Sequence, residues 1–542
     1  MKRTSTLAVT AALLASSAPL GLLTMAAGPA HAAGRTYFVS PSGNDSNPGT
    51  SAGAPFRTIQ KAADSTAPGD TVLLMNGTYS ERPGGSDVLV ISRSGRAGAP
   101  ITYQAHPGHH PVLHAVTAWN AIRVSGAAHI AIRNLEVKGN NANLSLAAAE
   151  RGASTKNAKF NTNCVSIDKD RSSGTRPHHI EVTGNTVHDC AGGGIGASDI
   201  DHITIDRNHV YSNAWYSVYA NSGISILSAR DVDGGDVKAH RIRITNNRVH
   251  DNESKVKWER CKCYSDGNGI IIDTLKASDG RPGYRSRVLV ANNLSYNNGG
   301  SGIHSFKSQH VDIVNNTAYK NGRSTRMESY ANIFAHDSTD VRLLNNIAYG
   351  RPGQATNSKS RNTDVTYDYN IYFGGKAPEV KGPHDIVSDP KLTNPGTGAE
   401  ADFRLSKGSP AIGSGTPFAA VTTDLTAARR SGGAPDRGAY SVKAAEGNGV
   451  KEGASEPTAS ESASPSQESA APGEPSADTD AGAAPTAEAP VATDSDTGLK
   501  ANGESEPLAE TGGSSPVLPL GIAAVVLAIG GSILFSVRRK RS

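Results

Sequence analysis

Two aspartates bracket one short strand in Asp266-Gly267-Asn268-Gly269-Ile270-Ile271-Ile272-Asp273. Carboxylates at this spacing supply the hard oxygen ligands that suit Ca²⁺; the same residues also fit a turn followed by a solvated strand end. Downstream stand three groups able to take a proton or neutralise charge, Lys276, His304 and Lys307. A cation beside a base supports β-elimination: the cation neutralises a uronate carboxylate, its α-proton becomes removable, and the base takes it. Hydrolysis of a glycosidic bond would need two carboxylates facing each other at roughly 5 to 10 Å. A second acidic run, Asp231-Val232-Asp233-Gly234-Gly235-Asp236, lacks the closing glutamate of an EF-hand and is expected to be a solvated turn.

The strand between Asp266 and Asp273 belongs to a repeat. Asn246-Asn247-Arg248-Val249-His250-Asp251-Asn252 has variants beginning at Gly184, Arg207, Asn292, Asn315 and Asn345. The second residue of each is Asn185, Asn208, Asn247, Asn293, Asn316 or Asn346, a base period of 23 lengthened by insertions. Each copy follows a β-branched alternation such as Arg241-Ile242-Arg243-Ile244 and precedes a glycine-led strand such as Gly223-Ile224-Ser225-Ile226. Short strands with Asn and Gly corners at this period predict a parallel β-solenoid, whose coils stack ~4.8 Å apart because none can bury its apolar face alone. Asn tolerates left-handed dihedrals, and its amide can hydrogen-bond from coil to coil. His188 and His250 occupy a place that is Tyr in other coils, which marks scaffold rather than a site.

The longest steps in the repeat flank the strand ending at Asp273. Inserted loops mark the binding face of a solenoid; here they cover 214–219, 230–240, 253–265 and 275–285. They hold Trp215, Trp258 and Tyr264, expected either to stack on substrate rings or to pack the loops down. Lys255, Lys257, Arg260 and Lys262 beside them suggest a groove for an anionic chain. Period-two alternation turns Asp168, Ser225, Asp273, His304, Phe306 and His336 outward in columns.

At the front of the body, Pro55-Phe56-Arg57-Thr58-Ile59-Gln60-Lys61-Ala62 and Pro68-Gly69-Asp70-Thr71-Val72 resemble the N-terminal cap of right-handed parallel β-helix proteins of the pectate-lyase-like superfamily. Asp402-Phe403-Arg404-Leu405 and Asp436-Arg437-Gly438-Ala439-Tyr440 are similar to that group's closing segments, so the resemblance spans about residues 35 to 442. It implies the architecture strongly and the chemistry weakly, since one fold hosts lyases, hydrolases and binding proteins. In calcium-dependent lyases of this kind the lysine base directly follows a Gly-Phe or Gly-Ile pair. Here Gly302-Ile303 is followed by His304, with Lys307 three places on. The paired Asp-Asp and the Gly-His-Gly of polygalacturonase-like hydrolases are absent.

The ends have other roles. Residues 1–32, with Lys2, Arg3, an apolar run and Ala30-His31-Ala32, have the form of a secretory signal peptide. The body occupies 33–444. Residues 445–507 are rich in Ala, Ser, Glu, Pro, Thr and Gly with no aromatic residue, too polar to fold, and are expected to form a disordered stalk. Residues 508–542 begin Leu508-Ala509-Glu510-Thr511-Gly512, continue through an apolar segment at 517–537 and end in Arg538-Arg539-Lys540-Arg541. This resembles a Gram-positive wall-sorting signal, which implies sortase cleavage between Thr511 and Gly512, joining to peptidoglycan, and a transmembrane helix that holds the chain in the membrane beforehand. The whole chain has a formal charge of +4, and the acidic stalk conceals a more basic body, which favours acidic partners; no nucleic-acid partner is expected. Four cysteines in an exported chain favour disulfides, with Cys164 to Cys190 and Cys261 to Cys263 as candidate pairs.

The expected fold is therefore all-β: a right-handed parallel β-helix (solenoid), followed by a disordered stalk and a C-terminal transmembrane sorting segment. The expected function is a wall-anchored surface protein that acts on or binds an acidic polysaccharide. The leading form is a calcium-dependent polysaccharide lyase, with Ca²⁺ at Asp266 and Asp273 and a base at His304, Lys307 or Lys276. A non-catalytic carbohydrate-binding or adhesive protein and a glycoside hydrolase are the alternatives.

Overall fold

The short strands stack as the period requires. The computed structural model describes residues 34–442, except 279, 328 and 329. The segments expected to be a signal peptide, a stalk and a sorting signal with Thr511 and Gly512 lie outside the described residues. Each full coil gives one strand to each of three parallel sheets. Sheet A holds eleven strands, from Thr36–Val39 to Thr363–Asp368; sheet B holds eleven, from Gly77–Ser80 to Ile386–Val387; sheet C holds eight, from Asp87–Ile91 to Ile333–His336. No helix among the described residues is long and apolar enough to cross a membrane.

Parallel register places like residues on top of one another. In sheet A, Ile130, Ile180, Ile203, Ile242, Val288, Val311 and Val341 form one inward column, and all are fully or almost fully buried. At the N-terminal end, helix Ile59–Ser65, capped by Thr58, packs Ile59, Ala62 and Ala63 into the core. That covers the first coil, whose open end would otherwise template pairing.

The repeated Asn forms a ladder at the corner between sheets A and B. In each rung the backbone N–H and the side-chain amide of one Asn donate to Oδ1 of the next, at 2.9–3.0 Å from Asn185 through Asn208, Asn247, Asn293, Asn316 and Asn346 to Asn370. Each amide also donates to a backbone carbonyl, as Asn247 does to Ile205 at 2.9 Å. The ladder ends at Asp385, whose Oδ1 accepts from Asn370 N at 2.6 Å. A second ladder, Asn213, Asn252, Asn298, Asn321 and Asn332, lines the corner after sheet B. Cys190 stands where that ladder begins, donating its backbone N–H to Asn213 Oδ1 at 3.0 Å, and is bridged to Cys164. A second disulfide closes Cys261 to Cys263.

The residue before each Asn of the first ladder takes a left-handed φ, as at Asn246 (56°), Asn292 (57°), Asn315 (55°) and Asn345 (58°). These outer Asn side chains hold the closing segment, which runs back along the corner: Asn292, Asn315 and Asn345 donate to the carbonyls of Thr423, Asp436 and Thr416. Arg430 returns a hydrogen bond to Asn292 Oδ1 at 2.7 Å.

Asn247→Ala removes a fully buried rung and leaves the Asn208 donors and the Ile205 carbonyl unsatisfied. At ~1–3 kcal/mol for each buried orphan, the expected loss is about 3 kcal/mol or more, seen as an earlier midpoint in chemical denaturation; an unchanged midpoint would contradict the ladder's role.

Candidate functional site

Sheet C carries the candidate site on its outer face. Inward positions are apolar, Ile224 and Ile226 then Ile270 and Ile272 in adjacent coils. The alternate positions form two outward columns. One runs Arg123, Ser166, Gly196, Ser225, Ile271, His304 and Phe334; the other runs Ser125, Asp168, Ser198, Leu227, Asp273, Phe306 and His336. A Cβ at Gly196 would meet nothing within 4 Å, so the floor is open there.

The inserted loops stand on either side. Those entering sheet C share a small core of Leu144, Ala149, Phe160, Ala191, Tyr216, Val218 and Val256, against which Trp215 and Tyr219 pack. This changes the expectation for the aromatic residues. Trp258 is buried at 8 % exposure. Trp215 donates Nε1–H to the Asp251 carbonyl at 3.0 Å, and Lys255 Nζ lies 3.3 Å from its ring centroid. Both indoles hold the wall together and neither is an open stacking platform; Tyr264 stays half-buried, near Lys257. The run from Asp231 to Asp236 is also structural, since Asp231 accepts from Arg285 N and Ser286 Oγ and Asp233 pairs with Arg241.

The outward columns are less exposed than alternation alone suggests, because the walls lean over them. His304 is 7 % exposed and His336 3 %. His304 stacks on Phe334 of the next coil, ring centroids 4.6 Å apart and 6° from parallel. Burial and the charge of His336 push its imidazole down to about 3, so it is neutral at physiological pH.

A chain of hydrogen bonds fixes the tautomer of His304. Asn268 Nδ2 donates to Asp266 Oδ1 at 3.1 Å, and Asn268 Oδ1 accepts from Ser301 N at 2.9 Å, which sets the amide's orientation. Ser301 Oγ lies 2.9 Å from that same oxygen and 2.6 Å from His304 Nδ1. An amide oxygen only accepts, so the hydroxyl proton goes to Asn268 and Ser301 Oγ accepts from His304 Nδ1–H. Nε2 then carries the lone pair. Asp266, expected as a metal ligand, thus also orients the expected base through two residues that the sequence did not single out.

Asp273 Oδ1 accepts from Thr274 Oγ1 at 2.6 Å, and its Oδ2 has no hydrogen-bond partner among the described residues. Burial raises both carboxyls, Asp266 to about 7 with the charge of Asp273 adding to it, and Asp273 to about 6 against the opposing charges of Lys307 and Arg281. Lys307 turns the corner after the strand with φ 45°, its Nζ 5.3 Å from the Phe306 ring centroid. Lys276 is placed differently from expectation: its ammonium donates to Asp337 Oδ1 at 2.8 Å and to the Asp337 carbonyl at 3.0 Å. It is committed to that pair.

Asp168, an outward residue of the same sheet, has both carboxylate oxygens buried without a hydrogen-bond partner among the described residues, as is Arg123 Nε. Burial raises Asp168 to about 6 despite Arg123 and Arg171. The available signal was an Asp closing an alternating strand, Asn163–Asp168; the cover over it was not visible in the pattern. Asp168 and Asp273 share a column three strands apart, roughly 14 Å at ~4.8 Å per strand, too far for the carboxylate pair of a glycosidase.

Fold and groove together define a parallel β-helix with a walled polar site along one sheet. Residues 37–337 match the family described as Pel9A-like, right handed beta helix region, and the chain belongs to that family. Pectate lyase L of Paenibacillus polymyxa (strain SC2) is 26% identical over 421 residues, covering 71% of this chain and 84% of the relative. The uncharacterized protein YwoF of Bacillus subtilis (strain 168) is 26% identical over 365 residues, 53% and 74% of the two chains. The crystal structure of pectate lyase Pel9A aligns with a TM-score of 0.42 at 16% identity, covering 76% of this chain and 97% of that one.

A carboxyl raised from its ordinary 3.8 to about 7 contributes stability that is complete below pH ~4 and is lost as pH rises through 7. Asp266→Asn should therefore melt about 2–4 °C higher than the parent protein at pH 8 and at the same temperature at pH 4; a gain confined to low pH would refute the burial of a charge there.

Proposed function

We propose that this protein is a polysaccharide lyase that cleaves an acidic glycan by β-elimination in the groove over sheet C, with His304 as the base. The observation that carries this reading is the chain from Asp266 through Asn268 and Ser301 to His304. It presents a neutral imidazole lone pair at Nε2, the form needed to accept a proton α to a carboxylate. The similarity to a curated pectate lyase supports the same reaction class. Lys307 lies at the same end of the groove as Asp273 and supplies positive charge for a uronate carboxylate.

Ca²⁺ fits the donor set in part. Among the described residues Asp273 Oδ2 makes no hydrogen bond; Asp266 is buried and Asp273 half-buried, and the charge of Asp273 raises Asp266, a repulsion that a bound dication would relieve; the remaining oxygen ligands would come from water and substrate. When bound, the ion would neutralise the uronate and acidify its α-proton. The chain's own residues do the rest: Ser301 holds the His304 tautomer, Phe334 holds the ring plane, and the loop walls exclude water.

A body with this groove, carried on a stalk and joined to peptidoglycan after sortase cleavage between Thr511 and Gly512, would meet polymeric substrate outside the cell. Binding without turnover is the second reading, and the close cover over His304, 7 % exposed, favours it. The absorbance of unsaturated product on polygalacturonate, alginate and other uronate polymers, with and without a chelator, separates the two. The lyase reading expects product that falls at least ~100-fold in His304→Ala and is reduced by the chelator. Glycan binding with no turnover on any acidic polymer would establish the second reading.

A further inference from the structure

A cluster of imidazoles lies on sheet A, outside the groove. His178 pairs in register with Ala128 of the preceding coil and Asp201 of the following one, so the next residues, His129, His179 and His202, stand in one column. All three take left-handed φ values of 54°, 55° and 47°, a conformation uncommon for a non-glycine residue. Their rings stack, His129 on His179 at 4.5 Å and His179 on His202 at 4.2 Å between centroids. His178 meets both His129 and His179 edge-on, at 5.4 and 5.0 Å.

His129, His178 and His179 each offer a ring nitrogen, and these nitrogens all lie within 4.8 Å of one another. Nδ1 of His178 and Nδ1 of His179 are 2.8 Å apart. Ligands bound at ~2.0–2.1 Å to one ion are roughly 2.9–3.4 Å apart, so small side-chain rotations bring the three nitrogens onto a common centre. Among the described residues this is the one group of three or more His, Cys, Asp or Glu side chains that converges in this way.

We propose that His129, His178 and His179 form a binding site for a borderline transition-metal dication such as Zn²⁺, Ni²⁺ or Cu²⁺, separate from the sheet C groove. Three imidazoles with no thiolate select this class of ion, whereas Ca²⁺ and Mg²⁺ prefer oxygen. His202 stays outside the ligand set. Its Nε2 has no hydrogen bond and faces Asp201 and Asp233 at 3.7 and 3.6 Å, and its ring packs flat against His179 to fix that ligand's plane. Three protein ligands leave at least one position for water or an oxygen of a bound acid. Because Ala128 and His178 pair across neighbouring coils, an ion held by His129, His178 and His179 would tie those two coils together.

The test is calorimetric titration of the untagged full-length protein with Zn²⁺ and, separately, Ni²⁺, alongside thermal melting with and without each metal. The expected result is one equivalent bound at micromolar affinity or better, a higher melting midpoint with metal, and at least tenfold weaker binding in His178→Ala and in His129→Ala. His110→Ala, an exposed histidine elsewhere, should bind as the parent does. Circular dichroism of each variant without metal keeps a folding defect distinct from a lost ligand. Absence of binding to the folded parent protein at millimolar metal, or unchanged affinity in the folded His178→Ala, His179→Ala double variant, would overturn the site.

Discussion

The buried amide ladder is the constraint on which the other features depend. A coil of this solenoid turns sharply between sheets A and B, and the turn leaves backbone donors and carbonyls facing the interior where water cannot reach them. Each ladder Asn answers two such demands, one donor and one carbonyl, with one side chain, and satisfies its neighbour's amide as well. Its oxygen takes the N–H and the amide of the preceding rung, and its own amide reaches a carbonyl. The ladder therefore fixes register as well as stability. A coil that slipped by one residue would lose its rung and turn its apolar columns outward together.

Rigid register is what lets sheet C hold polar groups in a nearly dry place. Asp168, Asp266 and Asp273 lie under loop cover, and their carboxyls are raised toward neutrality by burial. Carboxylates are expensive to bury without a partner; the scaffold supplies the stability that allows it. The same cover keeps His304 neutral and locks its ring between Ser301 and Phe334. Strongly perturbed groups gathered in one groove are what a reactive site looks like in physical terms.

Much of this was legible in the sequence because the scaffold obeys a period. The second Asn of each motif marks the ladder, and His188 and His250 prove to be scaffold: their rings alternate with Tyr211 and Tyr296 in one stack, at 4.8, 5.1 and 4.5 Å. Asp266, Asp273, His304 and Lys307 stand out by type and spacing, and they lie on sheet C and its corners. What escaped was set by the insertions, which follow no period. Nothing in the local pattern tells that Trp258 turns inward, that Lys276 reaches across to Asp337, or that Ser301 and Asn268 join Asp266 to His304. The link between Asn268 and Ser301 crosses from one coil to the next, and its partners are 33 residues apart.

The ladder also has a direction. Every rung donates toward the C-terminal end, so its amides are aligned head to tail, and the last acceptor is the carboxylate of Asp385, which accepts and has no donor to leave stranded. The ends of the stack are therefore chemically unlike, while the rungs between them are interchangeable. Such an architecture can lengthen by copying an internal coil, since a duplicate inherits a matching acceptor below and donor above. An inverted coil, or one grafted beyond Asp385, would meet the wrong polarity. The steps of 23, 39, 46, 23, 30 and 24 residues between rungs then have a simple meaning: the rung is inherited with each copy, and the loop between rungs is free to diverge.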